Sequence, residues 1–275
     1  MAGRGVARVL GVLAAAVSMF ALAGCGGQVT GEARGPWPVA RPGPSIVPPD
    51  AGRGGDEPGH ADDPRPADAT ILALPAGWAW VAYATVPRLE IFADRGGGEP
   101  RWTLDNPNPR GVALVLGVEE RQRDWLRVRV PVRPNNSIGW VRAADVRLTT
   151  TPYELLVDRR AHRLTVFRDG AVAAKLPVGI GTGSTPTPRG VFYLTELLRP
   201  ADPNGPWGPF AFGLSGFSDV ITQFNGADGI IGLHGTNRPD LVGSDVSMGC
   251  IRLRNDDLLR LVGLVPLGTP VTIVG

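Results

Sequence analysis

From Trp78 to the C-terminus the chain is broken again and again by glycine, proline and other turn residues, and the runs between the breaks are short, apolar and rich in β-branched side chains. Runs of that length and composition suit strands, leave no room for long helices and imply a mainly β fold. Trp80 to Tyr83, Leu89 to Ala93, Val112 to Val118, Trp125 to Val130 and Ile138 to Val141 read as strands of a small antiparallel β-barrel spanning 76–149. A second β unit spans 152–275. Its strands are expected at Tyr153 to Asp158, Arg163 to Arg168, Ala171 to Val178, Val191 to Thr195, Ile230 to His234 and Pro270 to Val274, with a hairpin turn at Asp169-Gly170. One helix is expected. Asn255 is its N-cap, Asp256 and Asp257 suit its positive end, Leu258, Leu261 and Val262 share a face, and Gly263 stops it. The second unit is therefore a β-sandwich with one packed helix.

Upstream of Trp78 the chain changes character. The 38 glycines and 27 prolines are far above ordinary usage, and residues 26–70 are dominated by Gly, Pro, Ala, Asp and Arg with almost no apolar periodicity. Such a segment cannot bury a core and is expected to be a disordered tether with a reach on the order of 35 Å. Before it, residues 1–25 read as an export signal: Arg4 and Arg8, then an uncharged, largely apolar run from Val9 to Gly24, too short for an ordinary bilayer span. The run ends in Leu22-Ala23-Gly24-Cys25, which resembles the lipobox of bacterial lipoproteins. That resemblance implies a lipidated Cys25 and a protein anchored to the outer face of the bacterial membrane, acting in the wall. The alternatives are a plain signal peptide or an uncleaved anchor. A formal net charge of +2 supplies no basic block for phosphates, so nucleic acid is not an expected partner.

The cysteines then narrow the chemistry. Cys25 and Cys250 are the two in the chain, so a lipidated Cys25 leaves Cys250 without an intramolecular disulfide partner in an oxidising compartment. A cysteine nucleophile needs a base, oxyanion donors and a tight backbone that exposes the sulfur. Of the three histidines, His60 lies in the tether, His162 at a turn between strands, and His234 at the end of the apolar strand Ile230-Ile231-Gly232-Leu233. Sixteen residues after His234, Ser247-Met248-Gly249-Cys250 brings a thiol in on a glycine-containing turn. An imidazolium beside it would pull the thiol pKa from about 8.5 to below 7. These residues by themselves leave a reactive pair and an inert buried Cys beside a satisfied His as equal readings.

The surrounding motifs resemble the L,D-transpeptidase, or YkuD, catalytic domain. They are Ile231-Gly232-Leu233-His234-Gly235-Thr236-Asn237, Ser247-Met248-Gly249-Cys250-Ile251-Arg252-Leu253, Thr185-Pro186-Thr187-Pro188-Arg189-Gly190-Val191-Phe192 and Leu264-Val265-Pro266-Leu267-Gly268-Thr269-Pro270-Val271. The resemblance implies Cys250 as nucleophile, His234 as acid and base, and the Gly235 carbonyl as the group that orients the imidazole. It implies oxyanion donors at the Gly249 and Cys250 N–H groups, with Ser247 hydrogen-bonding within the loop. Arg252 would hold the loop or a substrate carboxylate, with surface salt bridging as the alternative. Trp207, Phe210, Thr236, Asn237 and Met248 are candidate substrate contacts; for Trp207, Phe210 and Phe212 core packing is an equal reading. Met248 stands where many relatives carry a second His.

The reaction implied is acyl transfer between peptidoglycan stem peptides through a Cys250 thioester, giving 3→3 cross-links. Water as the acceptor would make the enzyme an L,D-carboxypeptidase. No cofactor is expected, and one available Cys with one placed His falls short of a structural zinc set. Asp124-Trp125-Leu126-Arg127-Val128-Arg129 followed by Gly139-Trp140-Val141 resembles the closing hairpin of a bacterial SH3-like domain, which implies glycan or stem-peptide binding by residues 76–149. Two other classes compete: a non-catalytic wall-binding lipoprotein, and a redox-sensing thiol, for which no resolving partner is visible.

Overall fold

The protein is described by a computed structural model covering residues 74–224 and 227–275. The expected signal, Cys25, the tether and His60 lie outside the described residues. The described chain is mainly β with one α-helix, as its sequence pattern predicts.

The N-terminal part contains β1 (Ala79–Ala84), β2 (Arg88–Ile91), β3 (Trp102–Asp105), β4 (Val115–Gln122), β5 (Trp125–Arg129), β6 (Ile138–Arg142) and β7 (Val146–Thr151). Five of these form an antiparallel sheet in the order β6-β5-β4-β1-β7. β2 and β3 pair with each other, and Phe92 bridges that pair to Trp140 in β6. The alternation is of period two where one face is buried: Leu126 and Val128 of β5 point into the core while their neighbours do not. The strand expected from Val112 begins instead at Val115. Residues 112–114 lead into it, tied by Leu114 N–H to Asn106 Oδ1 at 2.9 Å. β3 and β7 were not anticipated.

The C-terminal part begins with β8 (Tyr153–Asp158), β9 (Arg163–Arg168), β10 (Ala171–Pro177), β11 (Ile180–Gly181), β12 (Gly190–Leu198) and β13 (Ala211–Phe217). It continues through β14 (Gln223–Phe224), β15 (Ala227–Asp228), β16 (Ile230–His234), β17 (Asp245–Ser247), β18 (Ile251–Arg252), α1 (Asn255–Val262) and β19 (Pro270–Val274). An eight-stranded sheet runs β10-β9-β8-β19-β12-β13-β16-β18. β19 joins β8 in parallel within the sheet, and β18 joins β16 in parallel at its edge, which sets Arg252 beside His234.

β13 is buried along its whole length and was missed because Gly213 and Gly216 make it read as loop. Both glycines answer to packing. A Cβ at Gly213 would stand 2.8 Å from Glu196 Cγ, and one at Gly216 would stand 2.5 Å from the Phe192 ring. Helix α1 buries Leu258 and Leu261 and keeps Asp256 and Asp257 in its first turn. Its N-cap is Arg254 rather than Asn255, and no side chain caps it. Asn255 is drawn away from the capping role because its Oδ1 accepts the Thr236 N–H at 2.9 Å.

The two parts pack along a shared seam. Tyr193 of β12 is 1% exposed within the N-terminal core, where its hydroxyl donates to the Arg129 carbonyl at 3.2 Å. Tyr83 returns the contact by donating to the Leu267 carbonyl at 3.2 Å. Arg110 meets the buried Glu196 through two contacts, Nε to Oε2 at 2.8 Å and a second nitrogen to Oε1 at 2.7 Å. Asn135 exchanges two hydrogen bonds with the Phe217 backbone, each of 2.8 Å.

Candidate active site

His234 ends β16, a strand held between β13 and β18, so its backbone is fixed on both edges. The ring is 3% exposed. Nδ1 lies 2.7 Å from the Gly235 carbonyl. A carbonyl accepts and cannot donate, so Nδ1 carries the proton and Nε2 keeps the free lone pair. The Trp207 ring covers the imidazole at a centroid distance of 4.4 Å. Burial, helped by the nearby Arg252 cation and opposed by the Gly235 hydrogen bond, pushes the His234 pKa down to about 3.

The cysteine arrives on a turn that needs glycine. Gly249 has φ +116°, a conformation L side chains rarely adopt, and an added Cβ would stand 3.2 Å from Ile231 Cδ1. Ser247 clamps the turn by accepting the Gly249 N–H at 3.1 Å and donating to the Cys250 carbonyl at 2.6 Å. Thr187, buried in the Thr-Pro segment, donates to the Gly249 carbonyl at 2.9 Å and accepts the Gly181 N–H at 2.9 Å. Thr185 donates to the Ser247 carbonyl at 3.2 Å.

Gly232 brings thiol and imidazole together. Its N–H donates to Cys250 Sγ at 3.3 Å. The space where its Cβ would stand is flanked by His234 Cδ2 at 3.3 Å and Cys250 Sγ at 3.6 Å. A side chain at Gly232 would therefore crowd the imidazole and touch the sulfur. Burial pushes the Cys250 thiol up, and the Gly232 hydrogen bond and the Arg252 charge oppose it without reversing it. Both shifts favour the neutral forms, thiol and imidazole. That direction differs from the imidazolium and thiolate expected from the sequence, because burial disfavours either charged form.

Residues 152–273 match the L,D-transpeptidase catalytic domain family. YkuD of Bacillus subtilis, itself a candidate L,D-transpeptidase, is 38% identical over 124 residues, which cover 45% of this chain and 67% of that one. YqjB of the same organism, another candidate L,D-transpeptidase, is 34% identical over 133 residues, covering 44% and 70%. The chain belongs to the L,D-transpeptidase family. It carries the catalytic domain of a cysteine transpeptidase, and the family acts on peptidoglycan stem peptides.

Within this L,D-transpeptidase site the remaining sequence candidates separate. Trp207 sits on the imidazole, while Phe212 is 1% exposed in the core. Phe210 packs against that core under the Arg199 guanidinium, 4.8 Å from its ring. Thr236 is 2% exposed, and its hydroxyl accepts the Arg238 N–H at 3.0 Å. Asn237 is exposed, and Met248 is 55% exposed on the rim of the cysteine turn. The Gly249 N–H, expected as an oxyanion donor, donates to Ser247 Oγ at 3.1 Å. The Cys250 N–H holds no hydrogen bond among the described residues. His162, at φ +46°, meets Asp245 through Nε2 at 2.8 Å and stands apart from the pair.

Sequence reasoning missed Gly232, Thr187 and Asn255. Gly232 and Thr187 lie inside the motifs that carried the resemblance, which is the signal that marks them. Asn255 stands under the site: added Cβ atoms at Gly208 and Gly235 would come within 2.5 and 2.3 Å of its Oδ1.

Proposed function

We propose that the protein is a peptidoglycan L,D-transpeptidase that forms 3→3 cross-links through a Cys250 thioester. The observation that carries this is the convergence of the Cys250 thiol and the singly protonated His234 ring on Gly232. In the first half-reaction Sγ attacks the carbonyl carbon of the third stem residue while its proton passes to His234 Nε2. The Cys250 N–H receives the oxyanion. The intermediate collapses, the C–N bond breaks, and the imidazolium protonates the departing D-Ala amine, leaving a thioester. In the second half-reaction the amine of a neighbouring stem attacks the thioester, loses a proton to Nε2, and the thiol leaves reprotonated. Water in place of that amine gives an L,D-carboxypeptidase from the same acyl-enzyme.

Two experiments test the reading. Incubation with defined tetrapeptide muropeptides is expected to give cross-linked dimers; shortened monomers alone would assign carboxypeptidase activity. A carbapenem is expected to add to the intact protein by mass spectrometry, and Cys250→Ser is expected to lose turnover with an unchanged unfolding transition. Full turnover in that variant would remove Cys250 from the mechanism.

The same reading places the enzyme on the outer face of the membrane through a lipid on Cys25. The lipobox-like Leu22-Ala23-Gly24-Cys25 and the Pro/Gly-rich segment after it support this. Retention of a Cys25→Ala protein in the membrane fraction would argue against it. The seven strands of the N-terminal part are read as an SH3-like module that presents a glycan or stem-peptide surface to the wall. Loss of sacculus binding on deletion of residues 76–149 is the corresponding test.

A further inference from the structure

The peptide group between Gly235 and Thr236 is held at both ends. Its carbonyl accepts the His234 Nδ1–H at 2.7 Å, and its N–H donates to Asn255 Oδ1 at 2.9 Å. The bond is trans, so the two groups lie in one rigid plane and point in opposite directions; fixing either fixes the other. Residue 235 does not itself restrain that plane, because glycine lets the adjoining peptide rotate more freely than any other residue does.

The half-buried Asn255 is fitted into this corner. An added Cβ at Gly235, and one at Gly208, would each meet the Asn255 Oδ1 before any other atom, so two glycines clear the room for one amide oxygen. Gly208, at φ +64°, follows Trp207, whose ring covers the imidazole at 4.4 Å. The Leu253 N–H donates to the His234 carbonyl at 2.8 Å, which ties the end of β16 to the chain just before α1. Asn255 is the first residue of that helix, which no side chain caps, so its amide serves the site instead of the helix end.

We propose that Asn255 is a positioning residue for the reaction at Cys250, acting through the 235–236 peptide to hold the His234 ring with its proton on Nδ1. Nε2 is then free to take the thiol proton. An amide whose N–H is accepted is polarised, and its carbonyl becomes a stronger acceptor, so the run from Asn255 through the peptide to the imidazole supports the positive charge that the ring gains. The proposal rests on the transpeptidase reading only in giving His234 the part of general base.

The test compares the wild type with Asn255→Leu, which removes the acceptor at similar volume, Asn255→Ala, which removes it without crowding, and Asn255→Asp, which keeps an oxygen in place. Each protein with a native circular dichroism spectrum is read in two ways at pH 7: nitrogen NMR of the His234 ring, and single-turnover acylation of Cys250 by a carbapenem. The wild type is expected to show the Nδ1–H tautomer alone. Asn255→Leu and Asn255→Ala are expected to show a mixture with the Nε2–H tautomer and a maximal acylation rate lower by about 10- to 100-fold, with the half-saturating concentration little changed. Asn255→Asp is expected to restore the single tautomer and most of the rate. Wild-type tautomer in the Leu and Ala variants overturns the proposal, whether or not their rate falls, as does a loss in Asn255→Asp equal to theirs. If the carbapenem fails to acylate the wild type while the tautomer still follows the oxygen at residue 255, the transpeptidase reading has failed and the positioning role stands.

Discussion

Gly232 donates its backbone N–H to the Cys250 sulfur across 3.3 Å, from a strand 18 residues upstream in sequence. The same residue, having no side chain, leaves open the space between that sulfur and the His234 ring. A Gly232→Ala enzyme is expected to fold and to lose turnover, because the new methyl would crowd the His234 ring at 3.3 Å while lying in contact with the Cys250 sulfur at 3.6 Å. Acylation rate, set against an unchanged β-sheet circular dichroism spectrum, checks this.

The protonation states of the pair give a pH signature. With the thiol raised by burial, iodoacetamide alkylation of Cys250 should climb through and beyond pH 8.5, the ordinary thiol value of about 8.5 being a lower bound. A plateau reached near pH 6 would instead indicate a preformed ion pair.

His234 also links stability to acid. Its folded pKa of about 3 lies below the unfolded value, so between them the unfolded chain takes up a proton that the folded site refuses. Stability is full above the unfolded value of about 6.5 and falls as pH drops below it, by about 2 kcal/mol at pH 5 from this one group. Urea unfolding of the wild type and of His234→Gln at pH 7 and pH 5 should show the wild type losing more.

Trp207 covers the imidazole at 4.4 Å and helps to keep water from it. In Trp207→Ala the ring becomes hydrated, and its pKa should rise from about 3 toward the ordinary range. A histidine proton titration followed by NMR reads this directly.

At the seam between the two parts, Glu196 is buried at 4% side-chain exposure and paired with Arg110. Arg110→Ala leaves that carboxylate unpaired and should cost about 3 kcal/mol in urea unfolding. Replacing both residues by Met is expected to recover much of the loss, since no charge is then left buried.

Much of this was legible in the residues themselves. Alternating runs such as Leu126 and Val128 declare strands because a sheet with one buried face demands period two. The His-Gly and Ser-x-Gly-Cys motifs carry the family resemblance, and a local backbone, a carbonyl at Gly235 and a positive φ at Gly249, orients the residues in them. β13 was hidden, since Gly213 and Gly216 look like loop until Glu196 and Phe192 occupy the room they leave. Asn255 looked like a helix cap until the Thr236 N–H came within 2.9 Å of it.

The sequence by itself thus determined the β class and the family to which the chain belongs, because each is written in short-range pattern. The tertiary structure alone decided that burial favours the uncharged forms of the pair, that the Gly249 N–H turns to Ser247 and the Gly232 N–H to the sulfur, and that among the described residues the buried Arg252 Nε has no hydrogen-bond partner. Those properties depend on burial and on neighbouring strands that meet across the sheet, and desolvation is a property of surroundings that no local run of residues carries.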